Sequence, residues 1–241
     1  MMRNFTCTIQ RVKTISPQTF LITLLVEGEP LMFEPGQYII VFIRQGDKTL
    51  RRLYSVASGS QNGHALDLFI KAVPDGVGST FLTHSPIGTK VECAGPAGMF
   101  KLKDTNNPKI FMTTGTGFAP VRSFLLSQQK PLTQPWHLFW GDQTHVEAGF
   151  LDEFVQLKNS LKSFDFTYCL SREESLELIP ADFRNYSRIG RIDAVFEANR
   201  HTLPIESADF YLCGSRVVVE SLRLYLEGVG IAKERVIFEK Y

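Results

Sequence analysis

The periodicity of this sequence changes near Asn107, and that change limits the folds open to it. Before it, residues 5–14, 19–26, 38–43, 50–58, 65–72 and 90–93 read as short β segments, with Glu-Pro, Pro-Gly, Gln-Asn-Gly and Pro-Asp-Gly turn signals between or beside them. That spacing predicts an antiparallel barrel or sandwich. The one helix expected in this half is short and starts near Ser79, where Gly76-Val77-Gly78 gives way to Ser-Thr-Phe-Leu. After Asn107, strands at 109–113, 136–141, 164–170 and 210–213 alternate with helices at 119–129, 151–161, 193–199 and 217–227. Alternation of this kind predicts a doubly wound parallel sheet, closed by a last strand at 235–238. The expectation is a two-domain chain: an antiparallel β-barrel over 1–103 and an α/β doubly wound parallel sheet over 107–241. The polar stretch 103–108 reads as the linker.

Composition narrows the function classes. Lys and Arg number 26 against 25 Asp and Glu, a net charge of +1, which argues against nucleic acid as the main partner and makes any phosphate binding local. Cys7, Cys93, Cys169 and Cys213 are dispersed, without the close spacing that holds zinc or an iron–sulfur centre, so no metal site is expected. No apolar run approaches the ~20 residues of a membrane helix. With no signal-peptide pattern, the expectation is a cytoplasmic monomer with reduced thiols and no membrane partner. Most of the 19 Phe read as aromatic core.

Two segments suggest chemistry. Phe111-Met112-Thr113-Thr114-Gly115-Thr116-Gly117-Phe118-Ala119-Pro120 reads as an apolar strand, a two-glycine turn and a helix with proline in its first turn. The glycines let a backbone approach a diphosphate, and the helix start offers unpaired N–H groups to that anion. Without a third spaced glycine, an ordinary strand–helix turn is an equal reading. In Arg52-Leu53-Tyr54-Ser55-Val56-Ala57-Ser58, strand alternation puts Arg52, Tyr54 and Val56 on one face and Leu53 and Ser55 on the other. A phosphate-binding fork and a flat aromatic ring then share a face. Taken alone, a solvated Arg beside a core Tyr is the plainer reading.

Taken together, the motifs resemble the ferredoxin–NADP reductase superfamily. Arg52–Ser58 is similar to its flavin signature and follows Pro35-Gly36-Gln37-Tyr38. Gly76–Leu82 looks like its second flavin-phosphate motif, Gly95-Pro96 with Gly98 and Phe100 like the end of its barrel, and Gly115–Pro120 like its Gly-Thr-Gly-x-Ala-Pro turn. Trp140-Gly141, Leu170-Ser171-Arg172-Glu173, Gly190-Arg191-Ile192, Tyr211-Leu212-Cys213-Gly214 and Glu239-Lys240-Tyr241 follow in the family's order.

The resemblance implies FAD, rather than FMN, as bound cofactor and NAD(P)H as co-substrate. By that resemblance Arg52, with Leu53, Gly76, Gly78, Ser79 and Thr80, would hold the flavin and its pyrophosphate. Tyr54 would pack against the isoalloxazine, and Ser55 would hydrogen-bond near its N5. Gly115, Thr116 and Gly117 would cradle the nicotinamide dinucleotide, Cys213, Gly214 and Glu239 would line the nicotinamide pocket, and Tyr241 would stack over the flavin. Ser171 and Arg172, with help from Arg191, would read a 2′-phosphate, which favours NADPH over NADH. Gln143, Ser215 and Val218 depart from the family pattern, as does the lack of its iron–sulfur module within these residues.

The function expected is therefore an FAD-dependent NAD(P)H oxidoreductase. It would pass a hydride to FAD and then single electrons to a one-electron acceptor, ferredoxin or flavodoxin first. An oxygenase reductase component, an NAD(P)H:flavin reductase, and a non-catalytic dinucleotide-sensing or electron-transfer subunit are the alternatives.

Overall fold

A computed structural model describes residues 2–147 and 149–241. The chain forms two compact units, one running up to Leu102 and including Ala119–Ser127, the other holding Lys103–Phe118 and Gln128–Tyr241.

The first unit is antiparallel. Its strands are β1 (Arg3–Ser16), β2 (Thr19–Val26), β3 (Tyr38–Gln45), β4 (Lys48–Ser55), β5 (Ala65–Lys71) and β6 (Lys90–Ala97), with helix α1 (Val77–His84) between β5 and β6. They pair in the order β4-β3-β6-β1-β2-β5. An isolated antiparallel bridge from Val56 to Leu68 brings the two edges of this sheet together. The alternation that suggested strands is the alternation that fills the core: Ile39, Val41 and Ile43 of β3 are buried, as are Leu66 and Leu68 of β5. They meet Ile9, Ile22, Leu24, Val91 and Leu82 of α1 in one apolar cluster.

The second unit is parallel. Its strands β7 (Lys109–Thr114), β8 (Trp136–Asp142), β9 (Phe164–Leu170), β10 (Ser187–Ile189), β11 (Asp209–Gly214) and β12 (Val236–Lys240) lie in the order β10-β9-β8-β7-β11-β12. Helix α2 (Phe118–Leu126) follows β7, α3 (Leu151–Ser160) follows β8, α4 (Ala181–Arg184) and α5 (Ile192–Asn199) flank β10, and α6 (Arg216–Gly228) follows β11. From β7 the sheet grows one way to β10, and the chain then returns to add β11 on the other side. The ends of β7 and β11 therefore form a topological switch point, where open α/β sheets bind ligands.

Register across β7 and β11 pairs Lys109 with Asp209, Phe111 with Tyr211 and Thr113 with Cys213 on one face. The other face carries Ile110, Met112, Phe210 and Leu212, packed against Val195 and Phe196 of α5 and Val219, Leu222 and Leu226 of α6. Lys109 Nζ meets Asp209 Oδ2 at 2.9 Å with both side chains almost wholly buried. Thr105 and Asn107 also donate to Asp209, and Lys103 N–H donates to Tyr211 Oη. Residues 103–108 are thus bound to the second unit by the donors that a buried carboxylate needs.

Several boundaries differ from expectation. The strand read over 50–58 ends at Ser55, because the chain leaves β4 to make the Val56 bridge; the strand read over 90–93 runs on to Ala97, and the helix read over 119–129 stops at Leu126. Neither β10 nor α4 was expected, since three and four residues are too few to show a period. Among the described residues no helix is long and apolar enough to cross a membrane.

Candidate functional site

In the first unit, β4 is the most exposed strand, with Lys48, Thr49, Arg51, Arg52 and Leu53 all open to solvent. Leu53 points away from the core and is 57% exposed, whereas Tyr54 packs on the apolar cluster and Val56 is fully buried. Burial pushes the Tyr54 phenol up to about 12, so it remains a neutral hydrogen-bonding group. The first turn of α1 lies directly against this strand. A Cβ on Gly78 would come within 2.7 Å of Tyr54 Oη and 2.8 Å of Arg52 Cγ, so only glycine allows the approach. Arg52, Tyr54 and the helix start are brought together as the sequence motifs suggested.

The N–H groups of the first α1 turn have no partner within the helix, and Thr80 N–H to Gly76 carbonyl is the first bond to close. The Ser79 hydroxyl is already engaged: it accepts from Val73 N–H and donates to the Gly76 carbonyl, bracing the turn. Thr80 is exposed, and Arg52 donates from Nη1 to the Arg51 carbonyl. Ser55 closes β4, opposite Tyr38. Unpaired backbone donors at the start of α1 beside the exposed Arg52 guanidinium suit a diphosphate.

Sequence reasoning missed the group that fixes the chain just after Ser55. Arg122 Nη1 donates to the Ala57 carbonyl at 2.8 Å and to Asp67 Oδ2 at 3.1 Å, and Ser123 Oγ donates to the Ser58 carbonyl. Asp67 N–H donates back to Ser58 Oγ, and Asp67 Oδ1 accepts from Thr23. The available signal was Arg122 itself, an arginine amid Val121, Phe124 and Leu125, all buried. Such an arginine needs a carboxylate nearby.

In the second unit the switch point is built from close-packed glycines. A Cβ on Gly117 would lie 2.3 Å from the Cys213 carbonyl oxygen, and one on Gly214 would lie 2.5 Å from Thr114 Oγ1. Gly115 has φ +51° with open space beside it, so its glycine serves the turn and leaves the outer side of the loop accessible. From below, buried Trp140 donates its indole N–H to the Gly115 carbonyl at 3.1 Å. Phe118, Phe150, Phe154 and Tyr168 pack around that indole. Trp140 was read only as part of a motif, and its support of the loop follows from the tertiary packing.

Thr116 Oγ1 donates to Tyr241 Oη, which donates to the Thr114 carbonyl. The Tyr241 backbone is held at both ends, its N–H by the Gly214 carbonyl and its carbonyl by Arg216 N–H, while the residue as a whole is 63% exposed. Glu239 lies opposite Cys213 in the β11–β12 register. Burial, and then the Glu239 charge, raise the Cys213 thiol well above its ordinary range, so it is a packing surface and not a thiolate nucleophile. Thr113, beside Cys213, carries the one buried side-chain oxygen or nitrogen without a partner among the described residues.

Ser171 and Arg172 follow β9, two strand spacings from β7, or roughly 10 Å across the sheet. Ser171 Oγ donates to the Asp142 carbonyl. Arg191, after β10, is held by Asp193 at 3.4 Å and Ser221 at 3.3 Å. Thus Gly115, Thr116, Gly117, Cys213, Gly214, Glu239 and Tyr241 gather at one place, and Ser171 and Arg172 stand apart along the same edge.

Residues 6–102 match the family model of the oxidoreductase FAD-binding domain, and residues 111–223 match that of the oxidoreductase NAD-binding domain. The chain belongs to the oxidoreductases that join an FAD-binding domain to an NAD-binding domain, and is an FAD- and NAD-dependent oxidoreductase by class. It is 28% identical over 238 residues to the reductase component of propane 2-monooxygenase from Mycolicibacterium smegmatis, covering 96% of this chain and 66% of the relative. It is 28% identical over 240 residues to the toluate 1,2-dioxygenase electron transfer component of Pseudomonas putida, covering 97% of this chain and 66% of the relative. The Amycolatopsis cytochrome P450 reductase GcoB superposes with a TM-score of 0.85 at 26% identity, covering 99% of this chain and 70% of that one. The chain thus spans about two thirds of the length of these curated relatives.

Proposed function

We propose that this reductase oxidises NAD(P)H at the edge of its parallel sheet and delivers electrons, one at a time, to the electron-accepting component of an oxygenase. The observation that carries the reading is the exposed Arg52 packed against the start of α1 in one unit, together with the glycine-built switch point in the other. Bound FAD would supply the conversion of a two-electron hydride into single electrons. The protein's own residues do the rest by binding and orientation. Arg52 and the first α1 turn would hold the flavin diphosphate, with Tyr54 and Ser55 along the ring system. Gly115–Gly117 would take the dinucleotide, and Cys213, Glu239 and Tyr241 would shape the nicotinamide pocket.

The choice of acceptor rests on the relatives, whose names are those of monooxygenase and dioxygenase components, and it displaces the ferredoxin or flavodoxin expected from motif resemblance alone. NADPH is proposed as the better donor because the Arg172 guanidinium takes no hydrogen bond or ion pair among the described residues. Anaerobic titration of purified protein with NADPH and with NADH, following flavin absorbance, tests the reading. Bleaching at lower concentration by NADPH supports it as stated, and by NADH reverses the nucleotide assignment. A colourless protein, or a yellow one that neither nucleotide bleaches, returns the flavin-reductase or sensor alternative.

A further inference from the structure

We propose that the His145–Glu173 pair is a clasp that positions Arg172 for a phosphate on the adenosine side of the nicotinamide nucleotide. The inference rests on the reading that NAD(P)H binds at this sheet edge.

Loops at the carboxyl edge of an α/β sheet are ordinarily its mobile parts. Here the first residues of the loop after β8 and of the loop after β9 are bonded to each other. Ser171 N–H donates to the Asp142 carbonyl at 3.0 Å, and Arg172 N–H to the Gln143 carbonyl at 2.9 Å. Glu173 Oε1 then accepts the His145 backbone N–H at 2.7 Å and lies 2.6 Å from His145 Nδ1. The β8 loop is braced within itself, where Glu147 Oε2 accepts Gln143 N–H at 2.8 Å, and from β9, where Tyr168 Oη donates to Asp142 Oδ2 at 3.3 Å. The Glu173 carboxyl is held below its ordinary range, first by the His145 N–H and then by its ring, so it is ionised and accepting near neutrality.

Arg172 sits between Ser171 and Glu173, with its backbone fixed on both sides and its side chain exposed and unengaged. The other arginine of this edge is the reverse case, because Arg191 is committed to Asp193 and Ser221. A guanidinium with spare donors on an immobilised backbone binds an anion without first ordering a loop. Glu173 and His145 need not touch the nucleotide to govern its affinity. They are positioning residues, and Arg172 is the contact.

The test uses full-length flavin-loaded protein carrying Glu173→Ala, Glu173→Gln, Arg172→Gln or Arg191→Gln, with ferricyanide as acceptor. The donors are NADPH, NADH and reduced nicotinamide mononucleotide, which lacks the adenosine half. Glu173→Ala should raise the KM for the better dinucleotide fivefold or more, leave kcat within twofold, and leave the mononucleotide parameters unchanged. Glu173→Gln keeps a carbonyl for the His145 N–H and should recover most of the loss, which also covers the case in which the alanine variant folds poorly. Arg172→Gln should match Glu173→Ala, the two should not add, and Arg191→Gln should have less than half their effect. Titration with 2′,5′-ADP and 5′-ADP by calorimetry reads the same clasp without turnover. Unchanged dinucleotide KM and fragment affinity in Glu173→Ala, or an equal loss with the mononucleotide, overturns the clasp. Wild-type protein that binds the fragments but oxidises no donor overturns the proposed function instead, while the fragment series still decides the clasp.

Discussion

At the residue scale, two side chains pay a folding penalty that the structure makes measurable. Thr113 Oγ1 is buried without a partner, and an unmet hydroxyl costs on the order of 1–3 kcal/mol. Thr113→Val keeps the shape and removes the polar atom, so it should stabilise the protein by about 1 kcal/mol in urea denaturation; a destabilised variant would show that the hydroxyl is satisfied in solution. His137 has its pKa lowered to about 4 by burial, with Nε2 on Thr167 Oγ1. The unfolded chain, titrating near 6.5, binds the proton more tightly, so the penalty is absent above about pH 6.5 and grows as pH falls towards 4. Up to about 3 kcal/mol is at stake. His137→Phe, compared with wild type by denaturation between pH 4 and 8, should flatten that part of the profile.

At the element scale, α1 and β4 depend on one another through Gly78. A methyl at that position would need to move Tyr54 or Arg52, and inserted carbons in tight contacts cost typically 1–3 kcal/mol. Gly78→Ala should therefore lower flavin affinity at least tenfold, read by retention of the yellow colour through gel filtration, with the rest of the barrel folded by circular dichroism. Full flavin retention would show that α1 shifts without disturbing the strand. The same two elements show how far sequence reasoning reaches. Arg52, Tyr54 and Gly78 were legible through the resemblance of their motifs, Arg52–Ser58 and Gly76–Leu82, to a family pattern; taken alone, a solvated Arg beside a core Tyr is the plainer reading. Arg122, Asp67 and Ser123 were not, because their bonds connect residues 55 to 65 positions apart and no local period reports them.

At the scale of the whole molecule, the residues proposed for flavin and those proposed for nucleotide lie in separate units, so substitutions should divide by ligand. Arg52→Ala should purify with reduced flavin content and still bind 2′,5′-ADP. Tyr241→Ala should keep its flavin and change nucleotide affinity and turnover. Equal flavin content in Arg52→Ala and wild type would remove Arg52 from the flavin site. Loss of flavin from both variants would argue against assigning the ligands unit by unit.

Sequence alone determined the change from antiparallel to parallel architecture, because alternation of period two and strand–helix alternation are local consequences of burying one face of each element. It also placed Gly115 and Gly117 at a turn between strand and helix, since few other residues let a backbone approach so closely. The tertiary structure decided which polar groups are free. It engaged Ser79 within its own turn and Arg191 with Asp193 and Ser221, raised the Cys213 thiol by burial, and left Arg172 unpaired on a braced loop. The reason is that a side chain's hydrogen-bond partners and its solvent exposure are set by residues distant in the chain, and only folding brings those into contact.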